Sequence, residues 1–289
     1  MTLPDEMRWI DAGTLRRLER ASPDAFAAFW ARFSPLVEIL RRTEPGATRE
    51  SWALFALLHG EQADDLLGFL INQLRHRHCA VRVAAAEALG RLGDSRAVRP
   101  LVARLRDRPE AMRLAAITAL AALRDVTALP GLRAALADRV APVRLAAAET
   151  CMRLGDDGAP LPVLLALLRQ GDRRLRHAAA VRLAWPGNLP AAPGLLAALA
   201  DRWPAVRAAA AASLGVIGCR AAVPALLARL HDRDARVRAR AAEALVLIGD
   251  PRALEPLFNL ADSGDHALRA LAQQALRVFP GAGAVRKAA

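Results

Sequence analysis

Small and apolar residues recur at helical spacing along most of this 289-residue chain, with charged residues between them. The clearest stretch, residues 81–107, has one apolar stripe, a glycine, an aspartate and a second apolar stripe. This spacing predicts two amphipathic helices, each with one buried face. Gly93 supplies the left-handed position that ends the first helix, and Asp94 can accept hydrogen bonds from the amides that open the next segment. The stripes are Val81, Ala85, Ala88, Leu89 and Leu92, then Val98, Leu101, Val102 and Leu105.

The pattern returns every 31 or 32 residues, and an arginine marks each copy. A period of this length predicts stacked structural repeats. One helical hairpin cannot bury both of its stripes, so neighbouring hairpins must share a continuous core. The recurring arginines are Arg82, Arg113, Arg144, Arg176, Arg207, Arg238 and Arg269.

These units resemble the HEAT repeats, specifically the short bacterial (E-Z) form first noted in phycobilin lyases, with units much like VRxAAAxALGxLGD followed by AVPxLLxxLxD. The resemblance covers residues 79–279, with six full copies and a partial seventh. It implies an all-α fold, a right-handed α-α superhelix of about seven helical hairpins, whose second helices line the concave face.

The resemblance also implies a structural role for the recurring arginines, which pair in such proteins with aspartates in a ladder that links adjacent repeats. The matching aspartates, six residues before four of the arginines, are Asp107, Asp138, Asp201 and Asp232. Elsewhere His76, Gln170 and Ser263 occupy this column, and Asp172 and Asp265 are candidate substitutes.

Residues 1–47 do not follow the repeat. Ser22 begins a predicted helix in which Phe26, Phe29, Trp30 and Phe33 share one face. Because such a stripe must be covered, we expect residues 1–47 to form a helical cap on the first end of the stack. Residues 48–279 then form the repeat domain, beginning with a divergent hairpin, and residues 280–289 form a disordered basic tail.

The charge of the chain favours an acidic partner. It carries 41 basic and 29 acidic residues, a net charge of +12. Seven ladder arginines less four aspartates account for +3, which leaves +9 elsewhere. An excess of this size favours binding to an acidic protein, a nucleic acid or a membrane surface. Ordinary solvated charge is the alternative explanation for each arginine of the second helices and following turns, which are Arg99, Arg104, Arg106, Arg108, Arg133, Arg139, Arg169, Arg229 and Arg233.

A partner surface is predicted on the second helices. Arg104 and Arg229 occupy one column, and the units between them place Ala135, Ala166 and Ala198 there. Small residues at this position would form a floor that admits a helix or strand closely, with arginines at its margins. The abundance of alanine in the chain is the alternative explanation. The candidate partner-binding residues are Arg104, Arg133, Arg169, Trp203, Arg229 and Arg233.

Residues 183–200 interrupt the pattern. They carry no charge, but three prolines and two glycines exclude a continuous membrane helix. We predict a shortened first helix, an irregular turn and a late second helix. Trp185 either fills the core or stacks on the neighbouring proline. Trp203 occupies a position where other copies carry polar residues such as Arg108, which makes it a candidate exposed anchor.

The sequence offers little for catalysis or for a cofactor. His76, His78 and Cys79 are the one compact group of metal-competent side chains, but no second such group lies nearby in the sequence, so no metal site is predicted. The only lysine, Lys287, cannot complete a phosphate-binding loop. Three cysteines in separate repeats favour reduced thiols and a cytoplasmic location. No signal peptide is expected, because acidic residues precede any apolar stretch.

The leading functional hypothesis is a non-enzymatic scaffold, adaptor or assembly factor that binds an acidic protein segment on its concave face. A nucleic-acid-binding protein, similar to the HEAT-like DNA glycosylases, is the first alternative. A lyase that attaches a bilin-type chromophore is the second, and it depends only on the repeat subtype.

Overall fold

The computed structural model describes residues 63–156, 158–262 and 266–279. All regular structure in these residues is helical, so the predicted all-α fold of stacked hairpins is confirmed. The described residues fall into two compact units, divided after Asp156. The predicted cap, the first helix of the divergent hairpin, Ser263, Asp265 and the tail lie outside the described residues.

Unit 1 contains three first helices, each packed against the next, with second helices between them. Its helices are α1 (Ala63–Gln73), α2 (Cys79–Leu92), α3 (Val98–Arg104), α4 (Glu110–Leu123), α5 (Leu129–Ala135) and α6 (Ala141–Arg153). Here α2, α4 and α6 are first helices, and α1, α3 and α5 are second helices.

Unit 2 repeats the arrangement with α7, α9, α11 and α13 as second helices. Its helices are α7 (Pro160–Gln170), α8 (Arg173–Arg182), α9 (Ala192–Ala198), α10 (Pro204–Ile217), α11 (Val223–Arg229), α12 (Ala235–Ile248), α13 (Leu254–Ala261) and α14 (His266–Val278).

The turns that follow α2 and α12 match the sequence prediction. Gly93 ends α2 with a φ of 79°, and Gly249 ends α12 with a φ of 64°, both in the left-handed region. In the hairpin of α4 and α5, Arg124 adopts this conformation with a φ of 54°. The aspartate that follows caps a short 3-10 segment, as Asp94 does by accepting a hydrogen bond from the Arg96 amide.

Small residues allow the first helices to approach one another closely. A Cβ atom added to Gly90 of α2 would lie 2.9 Å from the Cα of Ala119 in α4. Gly215 of α10 lies equally close to α12, since an added Cβ would lie 2.7 Å from the Cα of Ala244. The core of each unit is therefore built on backbone-to-backbone proximity as well as on leucine and valine side chains.

The irregular segment confirms part of its prediction and corrects the rest. The first helix, α8, is short and ends at Arg182, because Pro186 disfavours helical backbone in the residues before it. The buried Asn188 side chain donates to the Leu183 carbonyl at 3.0 Å and closes the turn. The prediction of a late second helix is wrong: α9 begins 16 residues after Arg176, as α3 begins 16 residues after Arg82. Among the described helices, none is both long and apolar enough to span a bilayer.

Candidate functional site

The recurring arginines connect three successive levels of the stack, as Arg113 of α4 illustrates. Its Nε and Nη2 atoms donate to both carboxylate oxygens of Asp138 at 2.7 and 3.0 Å. Its Nη1 atom donates to the carbonyls of Asp107 and Arg108 at 3.0 and 2.9 Å. Each ladder aspartate thus accepts from the arginine 25 residues before it, while its carbonyl accepts from the arginine six residues after it.

Three other arginines pair with the aspartate 25 residues after them, and Arg207 repeats the geometry of Arg113 in full. Among the described residues, Arg82 donates to one carboxylate oxygen, and Arg176 donates to one carbonyl. Arg82 pairs with Asp107 at 3.1 Å, Arg176 with Asp201 at 2.7 Å and Arg207 with Asp232 at 2.7 Å. The remaining ladder arginines differ. Arg144 and Arg238 donate to the carbonyls of the preceding turn, and Arg269 lies half-buried on α14.

The pairing lowers the pKa of three of the ladder carboxylates. Burial raises the pKa of Asp138, but hydrogen bonds from Arg113 and the Val140 amide, together with nearby guanidinium charge, outweigh burial and hold this pKa below its usual value. The same opposing effects lower the pKa of Asp201 and of Asp232. These carboxylates therefore stay ionised and paired at neutral pH.

The predicted alanine floor is wrong at two of its three positions, and Ala166 is half-buried. Ala135 and Ala198 are buried, because this column of the second helix points into the stack. Arg104 donates to the Leu74 carbonyl at 3.4 Å and pairs with Asp107 at 3.4 Å. Arg229 bonds in the same way to the Leu199 carbonyl and Asp232. These two arginines therefore extend the ladder.

A groove of about 990 Å³ lies in unit 1, along the exposed faces of α3 and α5. One wall is the stripe Arg99–Ala103–Arg106, at positions i, i+4 and i+7, which runs along α3 into the turn that follows it. The other wall is the α5 stripe Pro130–Ala134–Ala137, 31 residues later. Val102, Leu105, Gly131 and Ala135 contribute to the lining, and Arg108 and Arg139 stand in the following turns.

The groove presents positive charge that the described residues do not neutralise. Within the part of the chain that the structure describes, the guanidinium groups of Arg99, Arg106 and Arg108 form no hydrogen bond or ion pair. Arg139 donates to the Arg108 carbonyl at 3.4 Å and is exposed. The lining carboxylates, by contrast, are occupied by ladder arginines. The groove is thus a concavity with an apolar floor and with cationic donors around it that are unpaired among the described residues.

Glycine at the groove floor sets its depth. A Cβ atom added to Gly131 would lie 2.6 Å from a methyl group of Val102. Because no side chain fills this point, α5 packs closely on α3 and leaves the space between the two exposed stripes open. Gly194 has the same relation to Leu165 in unit 2, at 2.6 Å.

The other predicted partner residues do not join this groove. Arg133 is exposed but bonds to Asp156 at 2.6 Å. Arg169 and Arg233 are exposed in unit 2 and form no side-chain bond among the described residues. The predicted partner-binding residues do not include Arg99 and Arg106, although both belong to the arginines of the second helices and following turns. Their i and i+7 spacing around Ala103 was the available signal.

Trp203 is 37% exposed, but its predicted alignment with Arg108 is wrong. It occupies the N-cap of α10, as Pro109 does for α4, and Arg202 is the counterpart of Arg108. The indole carries two guanidinium groups near its ring, with Arg173 at 5.1 Å and Arg202 at 5.5 Å from the centroid. Cation–π contacts of this kind hold the three side chains together on the surface of unit 2.

The histidine group does not assemble into a ligand set. The His78 amide donates to Nδ1 of His76, and Nε2 of His78 accepts from Arg77 at 3.1 Å. Within the described ranges, no group of three or more His, Cys, Asp or Glu side chains is placed to hold a metal ion. Burial raises the pKa of the Cys151 thiol to about 11, so this cysteine stays protonated at neutral pH.

Comparisons with known proteins support the repeat architecture. The sequence matches the model for HEAT repeats at residues 33–113, 67–153, 98–184 and 192–277. No curated protein matches the chain. The fold is similar to that of YibA from Escherichia coli, with a TM-score of 0.59 and 17% identity over 94% of this chain and 98% of that chain.

Two further solved structures are similar. An engineered protein aligns with a TM-score of 0.56 and 22% identity over 84% of this chain and 77% of that chain. The complex of CpcE and CpcF of phycocyanin lyase from Nostoc sp. aligns with a TM-score of 0.46 and 26% identity over 75% of this chain and 88% of that chain. The first likeness shows the fold alone, and the second is too weak to carry an argument about function.

Proposed function

Because this chain belongs to the HEAT-repeat family, whose repeats generally mediate protein interactions, we propose that it is a non-enzymatic scaffold, adaptor or assembly factor that binds an acidic segment of a protein partner. The groove between α3 and α5 is the proposed binding site. We further propose a cytoplasmic location, which is consistent with its three free cysteines.

One observation carries this proposal: three exposed guanidinium groups that have no partner among the described residues surround a groove lined by alanine, glycine, valine, leucine and proline. An acidic segment would supply the missing carboxylates and bury the apolar floor. Charge-assisted hydrogen bonds from arginine to carboxylate are among the stronger polar contacts in proteins.

The lining favours a protein segment over a nucleic acid. It contains neither an aromatic ring on which bases could stack nor an asparagine or glutamine that could pair with base edges. A nucleic acid would therefore contact only the arginines, while the apolar floor stayed uncovered.

The lining also favours a helical segment over an extended one. Its free polar groups are all donors, since the carboxylates of Asp107 and Asp138 are already paired. An extended peptide has amide donors that would find no acceptor in the groove, whereas a helix satisfies its own backbone. The spacing fits as well, because seven helical residues span about 10 Å, the same interval that separates Arg99 from Arg106.

A binding experiment with a defined probe tests the proposal. The probe is a fluorescent helical peptide of alanine and glutamate with carboxylates at seven-residue intervals, compared with its glutamine counterpart. We expect the full chain to bind the glutamate peptide, measured by fluorescence anisotropy at physiological salt. Arg106→Glu should weaken this binding about ten-fold, because a like charge replaces a favourable contact at the rim.

Arg153→Glu is the matched control, since Arg153 is also exposed in unit 1 and forms no bond among the described residues, but lies on the first helix α6. This variant should bind the peptide like the wild type. Equal loss in both variants would mean that only net charge matters. Tighter binding of a single-stranded oligonucleotide, with a steep salt dependence, would replace the proposal with nucleic-acid binding.

A further inference from the structure

The helix α13 carries the acidic counterpart of the groove. Its exposed stripe, continued by the C-cap residue Asp262, is Glu255–Asn259–Asp262. These residues occupy the same positions of the repeat as Arg99–Ala103–Arg106 on and after α3. Both stripes thus place two like charges seven residues apart around one uncharged residue. Among the described residues, neither Glu255 nor Asp262 forms a side-chain hydrogen bond or ion pair.

This acidic stripe is unlike the stripes of the other described second helices. The corresponding end positions are Gly68 and Arg75 for α1, Pro130 and Ala137 for α5, Pro162 and Arg169 for α7, Pro193 and Ala200 for α9, and Pro224 and His231 for α11. In the part of the chain that the structure describes, α13 alone has carboxylates at both ends of the stripe.

We propose that the groove of one chain binds the α13 stripe of a second copy of the same chain, so that the protein self-associates through α3 and α13. This inference depends on the proposed function, since it names the acidic segment that occupies the groove. Because every copy offers both surfaces, the contact generates either a closed dimer or a head-to-tail chain of copies.

The chemistry of the two stripes matches. In the proposed contact, two carboxylates at a seven-residue interval meet two guanidinium groups at the same interval. Asn259 then lies opposite Ala103, whose small side chain leaves room for the asparagine. The backbone of α13 is hydrogen-bonded within the helix, so it needs no acceptors from the groove. The net charge of +12 opposes association at long range, but salt at physiological strength screens charges beyond about 8 Å and leaves contact pairs in place.

Sedimentation velocity of the full chain over a range of concentrations tests the proposal. The wild type should associate, and the charge-reversed variant Glu255→Arg/Asp262→Arg should raise the dissociation constant of self-association about ten-fold or more. Arg99→Glu/Arg106→Glu should do the same. An equimolar mixture of the two variants should associate again, because the reversed stripes are complementary to each other.

The control for net charge is Glu87→Arg/Glu243→Arg, which changes the charge equally at exposed positions on first helices and should associate like the wild type. Association that survives Glu255→Arg/Asp262→Arg, or a mixture that fails to restore it, would overturn the inference. A wild type that stays monomeric at all concentrations would also overturn it. The peptide experiment separates the two proposals, since the α13 variant should still bind the acidic peptide if the groove functions as proposed.

Discussion

Arg113 shows why an arginine is required at each level of the ladder. Its side chain is almost fully buried, with 3% of the residue exposed, and a buried charge is tolerated only when it is fully paired. The Nε and Nη2 atoms of the planar guanidinium donate to one carboxylate, and the Nη1 atom donates to two backbone carbonyls. Lysine presents a point charge on a flexible stem, so it cannot reproduce this fork.

Substitution of Arg113 should therefore be costly. Arg113→Ala leaves Asp138 charged and half-buried and removes two carbonyl contacts, so we expect the free energy of unfolding to fall by about 3–5 kcal/mol. Urea denaturation followed by circular dichroism measures this change. The matched control is Arg144→Ala, where only carbonyl contacts are lost and the expected cost is about 1–2 kcal/mol. Equal costs at the two positions would show that the carboxylate pairing contributes little.

At the scale of the element, the sequence predicted helices and turns better than it predicted faces. Leucine and valine stripes, the glycine at the left-handed position and the following aspartate each have a specific physical meaning, and they place the helices. An alanine does not indicate which face of a helix is buried, because its small side chain fits both a buried and an exposed position. This is why Ala135 was assigned to a surface floor, while the actual exposed column, with Ala103 and Ala134, was missed.

The register of α9 was mispredicted for a related reason. Prolines show where a helix cannot continue, but they do not show whether the next helix shifts or the turn absorbs the difference. Here the turn absorbs it, with the help of Asn188 and of Gly187 at a φ of 80°. The sequence did not show which face of α3 and α5 is exposed. The groove, which lies between these exposed faces, could therefore not be located from the sequence alone.

Close helix packing makes a testable prediction about glycine. Gly215→Ala places a methyl group 2.7 Å from the backbone of α12, so the helices must separate, and we expect a loss of about 1–3 kcal/mol in the free energy of unfolding. Gly68→Ala in α1 is the control, since an added Cβ there meets no atom within 4 Å. That variant should gain up to about 1 kcal/mol from helix propensity. Similar shifts in the urea midpoint of both variants would contradict the packing argument.

At the scale of the whole molecule, the ladder links stability to pH. Asp138, Asp201 and Asp232 have pKa values below those of unfolded aspartate, which is about 3.9. A carboxylate with a lowered pKa in the folded state contributes stability that is present above the unfolded pKa and is lost as the pH falls through the folded pKa.

We therefore expect the urea midpoint to stay nearly constant from neutral pH to about pH 5 and to fall steeply below about pH 4. Urea titrations at a series of pH values measure this dependence. Asp232→Asn should be less stable at neutral pH and should lose less on acidification, because one titrating group is gone. An acid response unchanged by this substitution would assign the effect to other carboxylates.

The two-way bonding of each ladder arginine has a consequence for how such a chain changes length. Excision of residues 108–138 would bring Arg139 directly after Asp107. Arg144 would then face the Asp107 carbonyl, as Arg113 does now, and would keep its own contact with the Arg139 carbonyl in the place of Arg108. Loss or duplication of a whole hairpin thus preserves the pattern of partners, whereas loss of a few residues would leave a guanidinium opposite the wrong turn. Tandem duplication of one gene segment is accordingly a low-cost route by which the stack can grow.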